Sequence, residues 1–319
     1  MRPPTTVHTI RRAYASLGLA VLLWAGAFPA TRFALLSFSP EHLMVVRFTL
    51  ASLVLLIWAV RHRVAFPAPR DLGLVLLIGL VSGFAYQMAF NHGMRSVSSG
   101  PAAAIVDTAP LFAAIMGALL LRERLGWIGW IGMGAGLAGV AMIAFGERGE
   151  LVLEPGAALL LLAAILFASN AVMQKPLLAR YSVVEISVWL VVSGTLPMLV
   201  FLPGAVEQLV AAPRDAILAV IFLALFPAAL GFVLWSYALT HLPIAQVSSS
   251  LYLLPPVAFV IAWIWPGEVP GMLSIAGAAL ALVGVALVQY PVLIARRNLA
   301  AIDTHIGNPR LAQAENQAH

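Results

Sequence analysis

The residues with the chemistry to act on a solute are few in this sequence, and they stand in apolar surroundings. Asp107 lies in the apolar run 97–121. It is about ten residues in, which at a 1.5 Å rise puts it roughly 15 Å deep, near the midplane, if the run crosses a bilayer as a helix. A carboxyl at that depth costs about 2.5–3.5 kcal/mol and normally faces a cavity or a partner. It could bind the amine of a solute or carry a proton. It could also be a buried structural carboxylate held by Arg47 or by the neighbouring Thr108. Arg47 stands roughly six residues inside the run 41–60, where pairing with an acid within the bundle is the first expectation and snorkelling to an interface the second.

Asp107 and Tyr252 each precede a proline by three residues, Pro110 and Pro255. A proline lacks the N–H and crowds the carbonyl four residues back, so it opens the helix there. Both prolines read as hinge or kink elements, and Asp107 and Tyr252 as lining a cavity. Trp24, Tyr86, Gln87, Phe167, Asn170 and Trp235 add aromatic faces and amides inside other apolar runs. Aromatic walls with a few placed polar groups suit an amphipathic solute. Packing, interhelical hydrogen bonding and interface anchoring are the alternatives for each.

The elements that position these residues follow from composition. Of 319 residues 62% are hydrophobic and only 10% charged, with a mean hydropathy of +0.97. A soluble domain carries about a quarter charged residues, so the solvent of this chain is largely lipid. Runs bounded by charges, Pro or Gly predict ten membrane helices near 13–35, 41–60, 72–91, 97–121, 126–145, 155–175, 184–204, 215–239, 244–265 and 270–294. The fold class is all-α integral membrane. Residues 1–12 form a short leading segment and 295–319 a polar tail. The run after Arg11 and Arg12 extends to Leu36 and has a counterpart later in the chain, so it reads as a retained first helix rather than a cleaved signal.

The net charge of +5 does not signal nucleic acid, because the basic residues stand between apolar runs rather than along one face. With the N-terminus cytoplasmic, the basic residues divide about three to one in favour of the cytoplasmic side. Both termini then lie in the cytoplasm. There are no cysteines. No zinc-protease, nucleophile-elbow or phosphate-loop motif is present to suggest catalysis or a nucleotide. His92 and His241 lack the neighbours of a metal site, and no cofactor is implied. A single buried acid in a two-repeat chain does not resemble the charge rings of a channel.

The chain repeats itself. An offset of 143 carries Trp24-Ala25-Gly26 onto Phe167-Ala168-Ser169 and Arg32 onto Lys175. An offset of 145 carries Pro110 onto Pro255, Glu123 onto Glu268, Gly132 onto Gly277 and Asp107 onto Tyr252. The halves are residues 13–146 and 154–294, each with five helices. An odd number inverts the second half relative to the first, the arrangement of secondary transporters with a midplane site between their repeats. Gly132-x-x-x-Gly136 and Gly277-x-x-x-Ala281 read as packing seams, which permit a homodimer without demanding one.

Leu22-Leu23-Trp24-Ala25-Gly26, Val46-Arg47-Phe48, and Ala109-Pro110-Leu111-Phe112-Ala113 through Leu121-Arg122-Glu123-Arg124-Leu125 resemble the drug/metabolite transporter superfamily, in its bacterial EamA branch. So does the second copy from Pro255 through Gly267-Glu268. The resemblance covers roughly residues 15–290. It implies two inverted five-helix repeats around a central cavity, in the bacterial inner membrane. The implied activity is movement of small metabolites, often export of amino acids or related compounds, by alternating access. Pro266 before Gly267-Glu268 and the charge at Asp107 are departures from the family pattern.

Overall fold

The computed structural model describes residues 7–109, 111–112, 115–116, 127–146, 154–178, 180–241, 250–265 and 267–287. All of its ordered elements are helical among these residues. α1 (Val7–Ala34) and α2 (Pro40–Arg61) are joined by residues 35–39. α3 (Pro69–Ile78) runs through a π-helical stretch, Gly79–Ala85, into α4 (Tyr86–Gly93). α5 (Ser99–Val106), α6 (Trp127–Gly146) and α7 (Pro155–Met173) follow. α8 (Val183–Met198) continues through a 3-10 turn at Leu199–Phe201 into α9 (Leu202–Ala211). α10 (Arg214–Leu223) passes through a second π stretch, Ala224–Leu230, into α11 (Gly231–His241). A 3-10 turn at Ser250–Leu253 leads into α12 (Leu254–Ile264), and α13 covers Met272–Leu287.

Local chemistry sets these boundaries. Ser39 caps α2 by accepting from the His42 amide at 3.3 Å, with Pro40 in the first turn, where its missing N–H costs nothing. Ser182 repeats the device with a full capping box to Glu185. Among the described residues five helical segments are long and apolar enough to cross a bilayer: Thr9–Ala34, Pro40–Arg61, Pro69–Gly93, Glu185–Ala211 and Arg214–Trp235. Trp127–Ile143, Pro155–Asn170, Leu254–Ile264 and Met272–Leu287 are shorter apolar helices.

Two spans depart from their expected form. The run 97–121 is not one continuous helix: α5 stops at Val106, and Asp107 and Thr108 form a turn before helix resumes at Ala109. The cause lies in the sequence, since Pro110 cannot donate to Val106 and crowds its carbonyl. The expected helix 184–204 instead continues to Ala211 across its 3-10 turn.

The packing follows the offsets found in the sequence. The offset of 145 carries the π stretch Gly79–Ala85 onto the π stretch Ala224–Leu230, and the start of α3 onto the start of α10. α6 and α13 cross antiparallel with their backbones in contact, Gly139 against Gly277 and Ala281, and Gly284 against Gly132 and Gly136. The same offset turns the first of these contacts into the second. The Ser52 hydroxyl lies 2.8 Å from that of Thr195, 143 residues on, so a residue meets its own repeat counterpart. A hydrogen bond of this kind between membrane helices contributes about 0.6 kcal/mol on average.

Candidate functional site

The α4 face carries the aromatic groups singled out in the sequence. Tyr86 follows directly on the first π stretch, and its ring lies 5.8 Å from that of Phe90 and 5.6 Å from that of Phe167 on α7. Phe28 of α1 meets Phe90 edge-on at 5.5 Å. Phe28 and Phe90 belong to a buried cluster that includes Ala102–Ile105 of α5, with Tyr86 and Val106 packed against it. Tyr86 and the segment leading into Asp107 therefore share one core. π stretches often mark functional positions because they displace the side chains that follow.

Asp107 is the C-terminal cap of α5. Its amide donates to the Ala103 carbonyl at 2.9 Å, while its carboxyl Oδ2 is buried with no hydrogen-bond partner among the described residues. Neither expected structural partner holds it. The Thr108 hydroxyl donates to the Ile105 carbonyl at 2.6 Å, and Arg47 makes no ion pair with Asp107 among the described residues. A buried acceptor left unsatisfied is costly, and a ligand is one way to satisfy it.

Arg47 is 8% exposed and has no acid partner among the described residues, contrary to the pairing first expected of it. Its guanidinium carbon sits 5.3 Å above the centroid of the Phe48 ring. Gln87 is 2% exposed, and its Nε2 makes no hydrogen bond among the described residues. Asn170 lies on α7, its side-chain oxygen taken by Gln174 one turn on.

Trp24 and Trp235 form a second aromatic pair, 5.0 Å apart, rather than joining Tyr86 and Phe167. The Trp24 indole donates to the Pro227 carbonyl at 2.9 Å, inside the second π stretch, and lies against Gly231. The offset of 145 carries Tyr86 onto Gly231, so each repeat sets an aromatic ring of its first helix against the residue that follows a π stretch. A glycine at that position makes room for the larger indole.

Pro255 is buried in the first turn of α12. Tyr252 belongs to the 3-10 turn that precedes it; its side chain, like Pro110, lies outside the described residues. The two turns, at 107–108 and 250–253, fall at corresponding positions of the two halves.

Two polar clusters join residues far apart in the sequence. Glu268 reads from the sequence as a helix-end carboxylate that meets water or caps the next helix, and its partners are distant ones. Glu268 accepts from the Ser99 amide at 2.7 Å and from its hydroxyl at 3.1 Å, and pairs with Arg32 Nε at 3.1 Å. This carboxylate thus caps the N-terminus of α5 from a loop 169 residues away and ties it to the end of α1. Asp71 is bonded by Arg180 and by the Tyr181 hydroxyl, the latter at 2.8 Å, while the Ala68 amide donates to the same Tyr181 oxygen. The only trace of either cluster in the sequence is a charge at the edge of an apolar run.

With this geometry in hand, similarity decides the family. Residues 12–145 match the EamA-like transporter family, and residues 154–290 match it again. The chain belongs to the EamA-like transporter family. A probable terminal-alkyne amino-acid exporter of Streptantibioticus cattleyicolor is 37% identical over 288 residues, which cover 90% of this chain and 97% of that protein. The uncharacterized transporter YdfC of Bacillus subtilis is 33% identical, covering 85% and 88%. A protein of known crystal structure, 20% identical, superposes with a TM-score of 0.58 over 89% of this chain and 98% of its own, and supports the fold alone. The family member described here is a multi-pass membrane protein, and its family and relatives are named as transporters rather than enzymes.

Proposed function

We propose that this protein is a secondary transporter that exports amino acids or related amphipathic solutes across the bacterial inner membrane. In this reading two inverted five-helix repeats rock about a central cavity, with both termini in the cytoplasm. The observation that carries it is the pair of turns at corresponding positions of the halves, 107–108 and 250–253, the first holding the buried Asp107 oxygen that has no partner among the described residues. Interrupted helices at such positions are where transporters of inverted repeats hold their substrate. Contacts that map onto one another under the repeat offset, at Ser52–Thr195 and along α6 and α13, support the two-repeat architecture. In this mechanism Asp107 accepts a hydrogen bond from the substrate amine or takes up a proton, and the rings of Tyr86, Phe90 and Phe167 hold the apolar body.

The amino-acid assignment draws on the name of the Streptantibioticus relative. Counterflow tests it. Proteoliposomes preloaded with unlabelled propargylglycine, a terminal-alkyne amino acid, should transiently accumulate the labelled compound from outside, as only a carrier that cycles can do. Absence of counterflow for it and for a panel of common amino acids would move the substrate to another class, drugs, other metabolites or lipids.

A further inference from the structure

Arg47 and Gln87 each bury a donor nitrogen that makes no hydrogen bond among the described residues. α2 and α4 run side by side: the Asn91 side-chain amide donates to the Pro40 carbonyl at 3.0 Å, and His92 pairs with Glu41 at 3.1 Å. Gln87 precedes Asn91 by one helical turn and so shares its face toward α2. Arg47 lies two turns along α2 from Pro40, in the direction in which α4 runs back toward Gln87. The Gln87 Nε2 and the Arg47 Nε are both buried without a hydrogen bond among the described residues. A cation inside a bundle with no counter-ion is expensive, and its usual resolution is an acid or a bound anion.

We propose that Arg47 and Gln87 form the subsite for the carboxylate of the substrate. This deepens the transporter reading and rests on it: with Asp107 receiving an amine, the bound solute is zwitterionic. Donor type and geometry select the group. The planar guanidinium offers a fork that matches two carboxylate oxygens, and the Gln87 amide adds a neutral donor. Phe48, under the guanidinium, holds it in place without competing for its N–H groups.

The test is ligand-induced thermal stabilisation of the purified full-length protein, read by tryptophan fluorescence, with four probes of one carbon skeleton. L-Leucine carries both charges, 4-methylpentanoate only the carboxylate, and L-leucinamide and isopentylamine only the amine. Leucine is expected to bind at least about tenfold more tightly than leucinamide or isopentylamine, which lack the carboxylate, and 4-methylpentanoate to stabilise the protein without an amine. Arg47→Gln should erase that preference and Arg47→Lys retain part of it. Gln87→Leu, which leaves the charge in place, should weaken the carboxylate probes alone and serves if Arg47→Gln does not fold.

Equal affinity for leucine and leucinamide, a carboxylate preference that survives Arg47→Gln, or no stabilisation by any probe at about 10 mM overturns the subsite. Binding requires no translocation, so the two readings fail separately. Carboxylate-selective binding without counterflow leaves the subsite and removes the carrier. Counterflow of amine and amino acid alike does the reverse.

Discussion

The antiparallel crossing of α6 and α13 allows a test in which one substitution type is compared with itself. A methyl added at Gly139 would lie 2.5 Å from both the Ala281 nitrogen and the Gly277 oxygen. Ordinary contact is about 3.5 Å, so the two backbones must part by about 1 Å. Neither neighbour is a flexible side-chain end, and overpacking of this kind costs about 1–3 kcal/mol. Gly134, in the same helix, has nothing within 4 Å of the same position. The gain in helix propensity on replacing glycine, about 0.5–1 kcal/mol, is common to both sites and cancels in the comparison. Gly139→Ala should therefore unfold at a lower temperature than Gly134→Ala, by about 2–12 °C at the usual 2–4 °C per kcal/mol. Gly284→Ala, blocked by the Gly132 oxygen at 2.5 Å, should behave like Gly139→Ala. Thermal unfolding of the purified protein measures all three. Equal midpoints for Gly139→Ala and Gly134→Ala would refute the close crossing, and with it the packing evidence for two related halves.

The polar clusters give further predictions. Glu268→Gln weakens the bonds to Ser99 and Arg32; with Arg32 31% exposed the loss is about 2 kcal/mol, not the sum of the bonds. If the clasp seals one face, a cysteine placed at the buried Thr31 of this cysteine-free chain should react with a polar maleimide about 30-fold faster in that background; an unchanged rate excludes a sealing role. Asp71→Asn should cost about 1–2 kcal/mol, discounted because Arg180 is largely exposed. Adding Arg180→Gln should then cost little more, whereas additive losses in unfolding midpoint would show that the two residues do not act together.

Much of this fold is legible in the sequence because lipid leaves few choices. An apolar run ended by Arg61 or opened by Pro69 has to be a helix, and the starts of α2, α7 and α10 fall within one residue of their expected places. The offsets of 143 and 145 were equally readable, since Gly139 and Gly284 or Trp24 and Phe167 recur in order. The π stretches were not foreseen, because a single extra residue per turn leaves hydropathy unchanged; Gly79, Gly83 and Pro227 in mid-span are the only local signs. Pro110 announced a kink, but not that α5 would end at Asp107. Pairings between distant residues, such as Ser99 with Glu268 or Tyr181 with Asp71, depend on how helices meet and leave no periodic trace. The glycine seams read as packing surfaces open to a second copy are filled within the chain by the crossing of α6 and α13.

Efflux from proteoliposomes preloaded with a labelled amino-acid panel, comparing wild type, Asp107→Asn and protein-free vesicles, tests the central claim most directly. The account predicts selective efflux by the wild type that Asp107→Asn abolishes or reduces by at least about tenfold, the loss of one charge-assisted contact. Wild-type efflux no faster than that of empty vesicles for every member would contradict amino-acid export, and undiminished efflux by Asp107→Asn would remove this carboxyl from the transport site.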